Sequence, residues 1–180
     1  MKKKFQLFFI FVLILLTYSC ENSTEPNIEN EDNEIREIVF RDKFQNNYSG
    51  HFNYNDYIDT SYSFYFLAIY DSVDSNYNFM GRHDPDDELI SRFIGFAKIV
   101  KKFSECHFDN VNAPTKVIDN ETGKEGMLFY TGPIKWISKT EAEVEGGYWE
   151  GFSSSDCFTY RLYKYDGQWF IYYKTPRWAS

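Results

Sequence analysis

Two runs of alternating large residues, CFTYRLYKY and QWFIYYK, stand on either side of Asp166-Gly167. No other feature constrains the fold as much. A two-residue hairpin turn needs φ > 0 at both positions, and Asp-Gly is among the pairs that tolerate this best. Counting back from the turn places Leu162 opposite Ile171, Tyr163 opposite Phe170 and Tyr160 opposite Tyr173. Just upstream, EAEVEGGYWEG also alternates, with Glu141, Glu143 and Glu145 on one face and Ala142, Val144, Gly146 and Tyr148 on the other. That is the pattern of an antiparallel strand with one buried face. Gly146-Gly147 inside it reads as a bulge or bend in a curved sheet.

Aromatic residues make up 21% of the chain, and aromatics favour strands, so the remainder is read against a sheet-rich background. From Asn33 to about Asn47, Ile35, Ile38, Val39, Phe40 and Phe44 share one broad stripe, which predicts an amphipathic helix. FYFLAIY, Phe64 to Tyr70, is a short apolar run that reads as a buried strand. At DPDDE, Asp84 is placed to cap a second helix, with Pro85 at its first position and Asp86, Asp87 and Glu88 at the positive end of its dipole. Leu89, Ile90, Phe93 and Ile94 carry that helix to about Gly95. An extended segment toward Cys106, a strand near Pro114 to Asp119, the turn cluster NETGKEG and the strand MLFYTGPIKWI follow.

The N-terminus makes a different statement. Lys2, Lys3 and Lys4 precede FQLFFIFVLILL, an apolar run of residues 5–16, in the charged-then-apolar order of a secretory signal. Crossing a bilayer as a helix takes about 20 apolar residues, so the run is too short for a permanent anchor. Its end, LLTYSC, resembles a bacterial lipobox, in which a small residue, here Ser19, precedes a cysteine that is acylated before cleavage. The resemblance implies a signal at 1–19 and a lipid-bearing Cys20 held in a bacterial membrane. Residues 20–33 are acidic and almost free of apolar side chains, the composition of a flexible tether. Glu21 and the acids behind it resemble the export signals of some bacterial surface lipoproteins, which favours the outer membrane and leaves the face open. A cysteine carrying two or three acyl chains is a stable anchor.

Removal of three lysines with the signal leaves 16 basic against 27 acidic residues, a formal charge of −11. Nucleic acid is therefore a poor partner, since it needs a basic face. With Cys20 lipidated, Cys106 and Cys157 remain as an even pair in an oxidising compartment. They are either bridged, worth about 4 kcal/mol in the chain-entropy picture, or two buried thiols.

The order helix, strand, helix, then strands resembles the cystatin-like or NTF2-like class. The stretch from Asp84 onward also resembles a group of uncharacterised secreted bacterial proteins through DPDDELISRF, KKFSEC, VIDNETGKEG, GPIKWIS, EVEGGYWEG, TYRLYKYDGQWFI and the terminal RWAS. The resemblance implies a single α+β domain over 34–180, a curved antiparallel sheet packed on one or two N-terminal helices. No catalytic motif comes with it.

The chemistry sought in the residues themselves is sparse. His51, His83 and His107 are the available bases, no serine sits in a G-x-S-x-G elbow, and Cys106-His107 would diverge on a strand. No H-x-x-x-H or C-x-x-C spacing supports zinc, and no cofactor is expected. The unusual resource is aromatic: Trp136, Tyr148, Trp149, Tyr160 and Tyr172 are candidate ligand-facing rings. Three readings follow. The first is a non-catalytic module that binds another envelope protein. The second is an NTF2-like pocket for a small molecule or a reaction. The third is a glycan binder using exposed rings.

Overall fold

The computed structural model describes residues 28–47, 62–73, 79–110, 115–151 and 154–179. Two compact units divide the chain, Met1–Glu31 and Asp32–Ser180. Of the first, only residues 28–31 are described, as the opening of a helix. The signal segment, Cys20 and the start of the tether lie outside the described residues.

Helix α1 (Ile28–Gln45) places Ile35, Val39, Phe40 and Phe44 on one buried stripe, as their spacing predicts. It opens at Ile28, so residues 28–33, expected to belong to the tether, are helical. Acidic residues are favourable near a helix N-terminus, where Glu31 and Asp32 lie.

After α1 come β1 (Phe64–Ile69) and a separate two-stranded ribbon of β2 (Ser72–Val73) and β3 (Phe79–Met80). Helix α2 (Asp87–Ser91), β4 (Ile99–Lys102), a short 3-10 turn at Phe103–Glu105, β5 (Cys106–Phe108) and β6 (Val117–Asp119) follow. The last third holds β7 (Glu125–Thr131), β8 (Lys135–Ser138), β9 (Glu141–Gly151), β10 (Ser154–Tyr165) and β11 (Gln168–Ala179). These build an α+β structure on one open nine-stranded sheet, whose main path runs β11-β10-β9-β7-β1-β4.

The sheet is mixed, which corrects the antiparallel expectation. β1 runs parallel to both of its neighbours, β4 and β7. A strand covered on both faces reads as an unbroken apolar run, and FYFLAIY is such a run. On one face Tyr65 and Leu67 join Phe40, Phe44, Met127 and Phe129 beneath α1. On the other, Phe64, Phe66, Ala68 and Tyr70 join Val117, Leu128, Tyr130 and Cys157. A third cluster sets Ile35 and Val39 against Ala142, Val144, Tyr160, Leu162 and Trp169.

Three local expectations are revised. Helix α2 is capped by Asp86, whose Oδ1 accepts the Leu89 N–H at 2.7 Å, so Pro85 precedes the cap. Asp84 instead accepts from the Ser104 N–H at 2.8 Å and its hydroxyl at 2.6 Å. The helix stops at Ser91 and leaves Ile94 84% exposed. Gly146 and Gly147 form no bulge, since the register with β10 and β7 runs straight through them. Close approach explains them: a Cβ on Gly146 would lie 2.4 Å from Val39 Cγ1, and one on Gly147 would lie 2.0 Å from the Asp156 carbonyl oxygen.

The terminal hairpin forms with Asp166 at φ 49 and Gly167 at φ 78, and pairs Leu162 with Ile171 and Tyr163 with Phe170. A register shift between Arg161 and Leu162 then intervenes, so Tyr173 faces Arg161 and Tyr160 faces Lys174. The expected Tyr160–Tyr173 pair is corrected by that irregularity, which takes up Tyr172 as an extra residue.

Candidate functional site

The outer face of the terminal hairpin carries several exposed aromatic side chains. Strand alternation sends Tyr160, Leu162 and Trp169 under α1, so Tyr163 and Phe170 must face outward. Tyr163 and Phe170 are each 40% exposed and Tyr172 is 55% exposed. Their centroids lie 5.7 Å apart for Tyr163–Phe170 and 5.9 Å for Tyr163–Tyr172, making one contiguous ridge. Tyr165 and Tyr173, also exposed, extend the aromatic surface. Beside it runs the carboxylate row of β9: Glu141 is the register partner of Tyr163, and Glu143 that of Arg161.

The five rings expected to face a ligand do not share this surface. Tyr148 and Tyr160 are buried under α1, which corrects their assignment. Trp149, one residue on from Tyr148, points to the opposite face and meets Phe108 edge-on at 5.1 Å. Trp136 on β8 is 37% exposed and meets the buried Trp169 edge-on at 5.6 Å. Tyr172 alone of the five belongs to the ridge. Alternation settles the sides: residues 148 and 160 share parity with the apolar face of their strands, a signal already present in Val144 and Leu162.

A second feature lies between helix and sheet. Lys43 Nζ stands 2.8 Å from both carboxylate oxygens of Asp156, and the two side chains are 1% and 2% exposed. The Phe158 ring centroid lies 4.2 Å from Nζ and the Tyr148 centroid 5.6 Å. Burial pushes the Lys43 ammonium below its ordinary range, opposed by the Asp156 charge. Burial pushes the Asp156 carboxyl upward, opposed by Lys43. Next along the helix, Asp42 accepts from the Tyr160 hydroxyl at 2.8 Å and from Lys174 at 2.9 Å. The signal for this pair was available: Lys43 is four residues after Val39 and eight after Ile35, on the stripe that must be buried, and a lysine there requires a carboxylate.

At the ends of the parallel strands β1 and β7, a cleft of about 290 Å³ is lined by Tyr70, Lys135, Glu143, Glu145 and Arg177 among others. Its charges are already matched. Glu145 accepts from Arg177 and, at 2.9 Å, from the Tyr70 hydroxyl, while Lys135 lies 3.6 Å from Glu143.

Cys106 and Cys157 are free thiols, both held in the apolar cluster on the far side of the sheet from α1. Burial pushes each up to about 12, so neither is a thiolate near neutral pH. The Cys106 thiol donates to the Phe103 carbonyl at 3.1 Å, while His107 is exposed and lies 2.7 Å from Asn120 Oδ1, so the adjacent pair diverges. Among the described residues, no group of three or more His, Cys, Asp or Glu could hold a metal ion, and no helix is long and apolar enough to cross a membrane. Comparison of the chain with protein-family models, curated proteins and solved structures finds no match.

Proposed function

We propose that this chain is a lipid-anchored, non-catalytic binding module of the bacterial cell envelope. On this reading it is held by acylated Cys20, favoured at the outer membrane, and docks another envelope protein on the outer face of its terminal hairpin. The observation that carries the docking reading is the ridge of Tyr163, Phe170 and Tyr172. Three contiguous aromatic side chains on an open sheet face are the composition of a protein-binding patch. Glu141 and Glu143 beside them are paired with Arg161 and Lys135, so the patch has a rim of both signs and favours a partner with an apolar centre and a mixed polar rim. The planes of Tyr163 and Tyr172 are 81° apart, which suits a contoured protein surface better than the flat stacking a sugar ring takes. A helix laid on an open sheet supports kinship with the cystatin-like or NTF2-like class, and the parallel setting of β1 departs from the expected pattern.

The test places a photo-reactive residue at position 172 of the exported protein in cells. The expected result is an adduct of one defined size with an envelope protein. That adduct is lost when Tyr163→Ser and Phe170→Ser are added and melting temperature is unchanged. An adduct that survives those changes in a folded protein overturns the docking face. Labelling with a tagged fatty acid tests the anchor separately: Cys20→Ala abolishes the label if the reading holds, and a wild-type protein that stays unlabelled overturns it.

A further inference from the structure

We propose that Lys43 and Asp156 form a site of self-modification, joining through an intramolecular amide bond between the lysine Nζ and the aspartate Cγ. The inference rests on the surroundings of the pair. Two groups of opposite charge that meet at the surface keep their water. These two are almost wholly enclosed, at 1% and 2% exposed, with the rings of Phe158 and Tyr148 packed against the amine. In such a place the charged forms lose their hydration, and a proton passing from ammonium to carboxylate yields a neutral amine beside a neutral acid. Those are the two species that condense.

Geometry supplies the rest. Nζ is 2.8 Å from both carboxyl oxygens, which sets it within the roughly 3–3.5 Å of the carboxyl carbon from which bond formation proceeds. Rotation of the carboxyl about its Cβ–Cγ bond turns its face to the amine. The main chain of Tyr148, the cross-strand partner of Asp156, acts on this carboxyl against the effect of burial, the sense of interaction that supports negative charge on one oxygen as the carbon becomes tetrahedral. Asp42 and Lys174, the other charged groups that act on Lys43, are paired with each other at 2.9 Å.

The step balances without an oxidant or cofactor. The Nζ lone pair attacks Cγ and the Nζ–Cγ bond forms. The bond from Cγ to the protonated oxygen breaks, and that hydroxyl takes one amine proton and departs as water. Holding the reactants together replaces a second-order encounter by an effective concentration of about 10⁵–10⁸ M, and exclusion of water opposes the reverse hydrolysis. The product ties α1 to β10 across 113 residues of chain. On the reading in which Cys20 is the anchor, any pull on the tether enters the domain through α1, the element this bond would fasten to the sheet.

The experiment is mass spectrometry of the mature protein purified from cells, denatured, reduced and digested. The expected result is a branched product uniting the peptides that contain Lys43 and Asp156, lighter than their sum by one water. It is accompanied by faster migration of the denatured chain on a gel. Lys43→Arg retains the opposite charges, lacks the amine, and returns both peptides unlinked with normal migration. Recovery of linear, unmodified Lys43 and Asp156 peptides from folded wild-type protein overturns the proposal and leaves an ordinary buried ion pair. Because the wild-type digest alone decides, a variant that fails to fold does not obscure the answer. The hairpin ridge plays no part in it, so failure here is separate from failure of the docking reading.

Discussion

The centre of the sheet and its terminal hairpin are built from the same kinds of residue and end in opposite states. In β1 and β7 the aromatics are covered on both faces: Tyr65, Phe66 and Phe129 are at most 1% exposed. In β10 and β11 the helix covers one face only, and Tyr163, Phe170 and Tyr172 stay at 40% or more. The difference is one of coverage, because α1 covers one side, while on the other the cluster of Phe103, Phe108 and Val117 covers β1 and β7 and reaches the hairpin only at its far end, at Cys157 and Trp178. Aromatic content therefore does not tell core from contact surface; the number of layers does.

Mutations that remove central packing should separate the two regions most widely. Phe129→Ala, in the middle of the cluster beneath α1, is expected to cost about 3–5 kcal/mol in denaturant unfolding. A loss under about 1 kcal/mol would mean that the helix is not seated there. Gly146→Ala should come next, since its new Cβ meets Val39 Cγ1 at 2.4 Å. We expect a loss of about 1–3 kcal/mol from overpacking. Adding Val39→Ala should recover part of it, and a double-mutant cycle with no coupling would break the close-approach account.

Acid should loosen the region of β5 and β6 before the hairpin. Hydrogen bonds from the Thr115 hydroxyl and main chain hold Asp109 down at about 2, against an ordinary 3.8. Burial alone would raise Asp119, but the bonds from Lys101 and Thr122 outweigh it and hold its carboxyl low. A depressed carboxyl adds stability that is present above its unfolded pKa and is lost as pH falls through the folded value. Amide exchange at Val117 and Ile118 should thus accelerate between about pH 4 and 2, while exchange at Leu162 lags. Simultaneous loss at both places would show one cooperative unit. The smallest effect belongs to Phe170→Ser on the open face, expected within about 1 kcal/mol. A larger loss of stability would mean that the ridge is part of the fold and not a contact surface.

What could be read from the residues was local. Asp166-Gly167 announces its turn because few pairs accept two positive φ angles, and the first pairs beyond it follow by counting. The count fails at Tyr172, where a residue with no distinctive chemistry is taken up by an irregularity. Asp84 and Asp86 offer the same side chain on either side of Pro85, so spacing alone did not decide which would cap α2. FYFLAIY declares itself doubly buried, but the parallel partners of β1 are set by segments at Ile99 and Gly126, and nothing within the strand names them. Ring type does not single out the ridge, whereas parity with Val144 and Leu162 sorts Tyr148 and Tyr160 from Tyr163 and Phe170. Lys43 sat in plain view on the apolar stripe, and its partner lies 113 residues away.

The parallel setting of β1 also bears on when this molecule can assemble. Its two neighbours come from later in the chain, and the bed on which the front of α1 rests is made by β9, β10 and β11. A polypeptide emerging N-terminus first can gather Phe40, Phe44, Tyr65 and Phe93 early, but the seat of Ile35 and Val39 waits for the final strands, a slow regime dominated by distant pairings. Under the proposed export, such a chain would stay threadable through a narrow conduit until its late strands had passed, and would complete its fold on the far side.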